Sequence, residues 1–287
     1  MQRKSSMYRR RVLLALGSLP AARLVCAADD IDSKRTGGPY VPTPQVVVDE
    51  MLRMGKVGPN DFIIDLGSGD GVIVLTAAQK LKARGFGVDI DPELVTLSNN
   101  EARKRGIADR ASFQVQDVFK ADISKATVVT LYLLPGMMVN LRPKIYSELK
   151  PGTRVVSHDY HFDDWQADDQ ITWDVPEKEK VNGVGRATVY LWIIPAKIAG
   201  RWQVRVDAGE QYDLTLRQQY QNFNGADARG TKLTFGQLRG EDITFALPAA
   251  GSRHVFKGRV TGESMEGTVE LAGGKGTARW TAARVKA

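Results

Sequence analysis

The chain of 287 residues is long enough to bury an ample core, as one large domain or two smaller ones. Its formal charge is +7, yet six of its 40 Lys and Arg residues fall within residues 1–27, which hold no acid, so the remainder carries 34 basic against 33 acidic groups. A near-neutral body without a basic stripe interleaved with aromatics argues against a nucleic-acid partner, and a lone cysteine, Cys26, excludes an internal disulfide or a thiolate metal site.

Residues 1–27 read as a secretory leader. A basic stretch ends at Arg11, Val12-Leu13-Leu14-Ala15-Leu16 is apolar, and Val25-Cys26-Ala27 offers small residues for cleavage. Arg9-Arg10-Arg11-Val12-Leu13 is similar to a twin-arginine export signal. The expected location is periplasmic or exported, and cytoplasmic if the leader is not used. The apolar stretch is too short to be a transmembrane segment. Residues 28–38 are polar and read as a linker. Composition then divides the chain into residues 39–196 and 197–287.

Thr43-Pro44 precedes Val46-Val47-Val48 and Met51-Leu52 at helical spacing, with Thr43 placed as N-cap and Pro44 as first helical residue. Phe62-Ile63-Ile64 predicts a strand that ends at Asp65, and a helix starts near Val72. Between them lies Asp65-Leu66-Gly67-Ser68-Gly69-Asp70-Gly71. Such a turn opens backbone N–H groups to a ligand. A dinucleotide fingerprint needs G-x-G-x-x-G, and Val72 stands where its third glycine would be. Asp65 and Asp70 would repel a pyrophosphate but suit an ammonium or a sulfonium. S-adenosylmethionine (SAM) carries both.

The next elements fit the same ligand. Phe86-Gly87-Val88-Asp89 predicts a second strand, with Asp89 spaced to bind ribose hydroxyls and Ile90 beside it. Asp91-Pro92 starts a helix as cap and first residue, and Gly106 ends it. A third strand over 112–116 ends at Asp117, which is placed to accept from an adenine amino group, with Val118 next. Residues 126–135 form a fourth strand, followed by a helix from about Met137 to Leu149 that Pro143 interrupts. Residues 153–158 form a fifth strand. Ile171-Thr172-Trp173 and residues 187–194 supply the sixth and seventh.

These motifs resemble class I, seven-strand SAM-dependent methyltransferases, over roughly residues 39–196. The resemblance implies an α/β Rossmann-like sheet, parallel but for one strand, with SAM as cofactor. It implies Asp65, Gly67, Ser68, Gly69, Asp70, Asp89, Ile90, Asp117 and Val118 as cofactor residues, and Thr43 near the methionine carboxylate. Tyr132 and His158, at the ends of the fourth and fifth strands, are the catalytic candidates. His158 can accept a proton near neutral pH. Tyr132-Leu133-Leu134-Pro135 lacks the amide and second proline of amino-methylating DNA enzymes. Tyr40-Val41-Pro42-Thr43, Leu133-Leu134-Pro135, Arg154-Val155-Val156-Ser157 and Trp165 are similar to bacterial relatives of the protein-lysine methyltransferases that modify the ATP-synthase c-subunit. A protein lysine is then the implied acceptor, with a small molecule as the alternative. No metal site is expected from His158 and His161.

Residues 197–287 show short alternating segments, such as Trp202/Val204/Val206 and Ile243/Phe245/Leu247. They predict a small antiparallel barrel or sandwich of about six or seven strands. Asn224-Gly225 and Gly273-Gly274 mark turns, and Gly258, Gly262 and Gly267 suggest further ones. The reading from another class is a non-catalytic exported binding protein with a vestigial SAM-binding half. The sequence leaves the oligomeric state open.

Overall fold

The computed structural model describes residues 40–249 and 251–286. The leader and linker expected over residues 1–38 lie outside them. Among the described residues no helix is long and apolar enough to cross a membrane.

The N-terminal half alternates helices and strands. Its elements are α1 (Gln45–Met54), β1 (Phe62–Leu66), α2 (Val72–Leu81), β2 (Arg84–Asp89), α3 (Pro92–Lys104), β3 (Ala111–Val115), β4 (Val128–Leu131), α4 (Pro135–Glu148), β5 (Arg154–His158), β6 (Asp169–Asp174), α5 (Pro176–Asn182) and β7 (Arg186–Ile193). The strands form one sheet in the order β3-β2-β1-β4-β5-β7-β6. The first five are parallel, and β7 runs antiparallel to both neighbours.

Alternation along the strands explains why the central ones are apolar throughout. Ile63, Val128 and Val156 face a core shared with α1, α2 and α3. Ile64, Val129 and Val155 face a second core shared with α4. A strand covered on both faces has no solvent side to mark with polar residues. Strand order reverses between β1 and β4, and that switch point opens a crevice at the C-terminal strand ends.

The helix after β4 differs from expectation. α4 begins at Pro135 and runs through Pro143 without a break. Pro143 sits on the exposed face, so the carbonyl it leaves without a donor faces water. At α1, Pro44 rather than Thr43 occupies the N-cap, and no side chain caps the helix.

The C-terminal half is a closed barrel of eight antiparallel strands, one or two more than predicted. They are β8 (Gly200–Val206), β9 (Gln211–Gln219), β10 (Asn222–Asp227), β11 (Phe235–Arg239), β12 (Asp242–Ala249), β13 (Ser252–Thr261), β14 (Ser264–Glu270) and β15 (Thr277–Arg284). Each pairs with the next, and β15 closes on β8. Closure removes the free edges that an open sheet would expose. The interior is filled by side chains: Phe245 and Phe256 stack at 4.5 Å, and Trp280 meets both edge-on. Arg284 covers the Trp202 ring at 4.5 Å.

Several predicted turns prove to be strand interior. Asn224 and Gly225 lie within β10, where a Cβ on Gly225 would stand 2.4 Å from the Thr215 carbonyl oxygen. Gly258 and Gly267 face each other across β13 and β14. A Cβ at Gly258 would lie 2.2 Å from the Glu266 carbonyl oxygen and 2.7 Å from the Trp280 ring. These glycines admit a close backbone approach beneath an indole. Gly258→Ala is therefore expected to lower barrel stability by about 1–3 kcal/mol, the usual cost of overpacking. Thermal unfolding read by Trp fluorescence checks this, and an unchanged midpoint refutes it.

Candidate active site

The glycine turn after β1 is fixed by backbone and by packing. Gly67, Gly69 and Gly71 all have positive φ, at 81°, 52° and 78°. Gly67 and Ser68 both donate their N–H to the Val88 carbonyl at 2.9 Å, which ties the turn to β2. A Cβ at Gly69 would lie 2.7 Å from the Tyr40 ring, and one at Gly71 2.6 Å from the Phe113 ring. Left-handed geometry and lack of room both demand glycine here.

Acids gather around this turn. The Asp65 carboxyl, at the end of β1, is buried and accepts from the Thr130 hydroxyl at 2.7 Å. Burial pushes its pKa up to about 7, and the negative charges of Asp89 and Asp70 add to the rise. Asp89 ends β2 and accepts from the N–H of Gly69 at 2.8 Å and from that of Asp91 at 3.0 Å. Ile90 beside it is 61% exposed and offers an apolar surface at the crevice. Asp117 follows β3 and accepts from the Phe119 N–H at 2.9 Å. The Val118 side chain turns into the core shared with α4, so only its backbone is left to face a ligand. Ser68 is buried, and its hydroxyl has no hydrogen-bond partner.

Tyr40 is a residue that the sequence motifs did not assign. Its ring covers Gly69, and its phenol hydrogen-bonds to Asp70. Partial burial, then the Asp70 charge, hold that phenol well above its ordinary pKa. Thr43 is half-buried in the same segment.

The donor set fits SAM. Carboxylates stand at the ends of successive strands, and residues 65–71 contain no cation to hold a pyrophosphate.

Across the switch point lie the catalytic candidates. Tyr132 follows β4 and His158 ends β5, with ring centroids 4.0 Å apart. Tyr160 stacks beyond Tyr132 at 6.2 Å. His158 is fully buried, and neither ring nitrogen makes a hydrogen bond. Its Nε2 lies 3.5 Å from Asp159 Oδ2, too poorly aimed to bond. Burial lowers its pKa to about 4, opposed by Asp159 and assisted by Lys178. The imidazole is thus neutral at physiological pH and a weak base.

Lys178 went unnoticed in the sequence because Glu177-Lys178-Glu179-Lys180 reads as a solvated helix. It is buried on α5, where it pairs with Asp159 and donates to the Arg186 carbonyl at 2.6 Å. Asp159 has φ of 62° and also accepts from the Thr188 N–H. His161 is exposed, and its Nδ1 accepts from the Asp163 N–H. Among the described residues no group of His, Cys, Asp and Glu is arranged to hold a metal.

Comparison with known proteins places this geometry. The ANTKMT methyltransferase domain family matches residues 65–169. A protein-lysine N-methyltransferase of Saccharolobus islandicus is 41% identical over 157 residues, 54% of this chain and 93% of that protein. The chain belongs to the protein-lysine N-methyltransferase family. The human lysine N-methyltransferase of the ATP-synthase c-subunit is 31% identical over 152 residues, and the match spans 58% of its length. A crystal structure described as an RNA methyltransferase from Salinibacter ruber with S-adenosyl-L-homocysteine shares 47% identity and a TM-score of 0.50. It covers 55% of this chain and 96% of that one. The protein is a SAM-dependent methyltransferase, and the reading as a vestigial binding protein falls away.

The methyltransferase's buried histidine has a measurable consequence. A group with a depressed folded pKa is protonated first in the unfolded chain, so stability falls as pH drops from about 6.5 towards 4. A pKa lowered this far corresponds to a loss of about 3 kcal/mol once the pH is below both values. Urea unfolding as a function of pH is expected to show a shallower acid decline in His158→Gln than in the natural protein. Equal declines would mean that His158 titrates normally.

Proposed function

We propose that the protein transfers a methyl group from SAM to a lysine side chain of a protein acceptor. The observation that carries this reading is the similarity to the archaeal protein-lysine N-methyltransferase over 93% of that protein's length. The Salinibacter ruber structure, described as an RNA methyltransferase, supports the alternative acceptor. The near-balance of charge outside residues 1–27 weighs against RNA.

The residue roles follow from placement. Asp65 and the turn Gly67-Ser68-Gly69-Asp70 are assigned to the amino acid end of SAM, with Thr43 and Tyr40 closing over it. Asp89 is assigned to the ribose hydroxyls, and Asp117, Ile90 and the Val118 backbone to the adenine. Bound SAM supplies an electrophilic methyl on a sulfonium. The Tyr132 ring borders the acceptor side, and the neutral His158 beneath it fixes that ring. A lysine amine must shed its proton before it attacks. His158 is too weak a base to remove it efficiently, so the proton would leave to solvent first, and the neutral amine would then attack, its nitrogen–carbon bond forming as the carbon–sulfur bond breaks. The protein's main contribution is then alignment, which supplies roughly 7–11 kcal/mol in favourable cases.

Tritiated SAM with a total cell extract as acceptor tests the reading. Label is expected in protein, recovered as methyl-lysine after acid hydrolysis, and lost in Asp89→Ala. Label that ribonuclease releases would overturn it.

Asp65 makes binding depend on pH. Its carboxyl ionises near pH 7 in the free protein. An ammonium beside it favours the ionised form, so binding expels a proton. Calorimetric affinity for S-adenosylhomocysteine is expected to fall up to tenfold per unit below pH 7 and to level off above it. In Asp65→Asn the slope disappears; a slope that survives would remove Asp65 from the ligand's amino group.

A further inference from the structure

The barrel touches the sheet half at the tip of the β9–β10 hairpin, and that tip is built oddly. Tyr220 has φ of 53°. Left-handed geometry favours glycine or asparagine, so a tyrosine here needs a compensating contact. The contacts of its side chain lie outside the barrel. The Tyr220 ring stacks on Trp165 at 4.9 Å and 9°, and its hydroxyl donates to Asp164 at 3.1 Å. Tyr146 of α4 meets both rings edge-on, at 5.4 and 5.5 Å.

Gln221 next to it is buried, with both ends of its amide bonded across the same joint. Its Oε1 accepts from the Trp165 indole N–H at 2.9 Å, and its Nε2 donates to the Gln166 carbonyl at 2.7 Å. Its own carbonyl accepts from the Leu238 N–H, which anchors the tip in the barrel. The segment so gripped is the one that leaves the end of β5. From Trp165 it runs back through Phe162, which stacks on Trp165, to Tyr160, whose carbonyl accepts from Ser157. Tyr160 and His158 flank Tyr132.

We propose that the barrel serves the reaction as a clamp: Tyr220 and Gln221 are positioning residues that hold segment 159–168, and through it the acceptor side of the active site at Tyr132, His158 and Tyr160. The assignment of that side to the acceptor rests on the function proposed above. The clamp acts on the acceptor side alone, because the glycine turn and Asp89 are tied to β2 and to each other. The barrel interior is filled by its own aromatic side chains, which leaves its outer tip as the working part.

The test reads the histidines of the full chain, which has only three: His158, His161 and His254. His254 lies in the barrel, where its Nδ1 accepts from the Ala272 N–H, and serves as an internal control. The groups that face His158 are Asp159, Lys178 of α5 and Tyr132, with Tyr160 on the far side of the Tyr132 ring, and none is altered. Histidine-labelled protein is titrated by NMR as Gln221→Ala and as Tyr220→Phe, with S-adenosylhomocysteine affinity measured alongside. The expected result is a His158 pKa at least one unit higher in Gln221→Ala, a smaller rise in Tyr220→Phe, and a cofactor Kd within twofold of the natural protein. An unmoved His158 in the folded variants overturns the clamp, as does a parallel loss of cofactor affinity. If Gln221→Ala does not fold, Gln221→Glu replaces it, since it keeps the oxygen that Trp165 needs and loses the donor to Gln166. None of these readings requires a known acceptor, so they stand apart from the outcome of the labelling experiment.

Discussion

A carboxyl group sealed beneath the end of β1 sets the terms for the rest of the cofactor side. Asp65 is buried and accepts from one hydroxyl. Two further carboxylates stand close enough to raise its pKa. Such an accumulation of like charge is unfavourable in an empty pocket and becomes favourable when a cation enters. The same acids organise the backbone before any ligand arrives, since Asp89 accepts from the N–H of Gly69 and thereby shapes the turn. The acids proposed to recognise the ligand are thus also the ones that shape the turn.

The acceptor side is built on a different principle. Its polar groups are few, and its shape depends on stacked rings and on a segment with two left-handed residues, Asp159 and Asp163. Segments of this kind are not rigid on their own account. They need outside support, and here α4, β7 and the barrel supply it through Arg142, Trp192 and Gln221. The division of labour is spatial: local hydrogen bonds hold the glycine turn and Asp89, and long-range packing holds the segment beside Tyr132 and His158.

That division decides what could be read from the sequence. The glycine turn, the acids at the ends of β1 and β2 and the Asp91-Pro92 helix start are encoded by neighbours, so a short window suffices. The alternation in β8, β9 and β12 was legible for the same reason. Asn224-Gly225 misled because a turn and a tight strand crossing both call for glycine, and only the strand opposite distinguishes them. The true turn at Tyr220-Gln221 carries no turn signal, since its justification is Trp165, more than fifty positions away. Lys178 was hidden in a charged run because its burial is decided by Asp159, nineteen positions earlier. Pro143 looked like a break because sequence does not reveal which face of a helix meets water.

The Lys178 ion pair pins α5 to the residue that follows β5. Here that amine is walled in, its hydrogens committed to Asp159 and to the Arg186 carbonyl. One buried amine thereby joins α5, the left-handed residue after β5 and the start of β7.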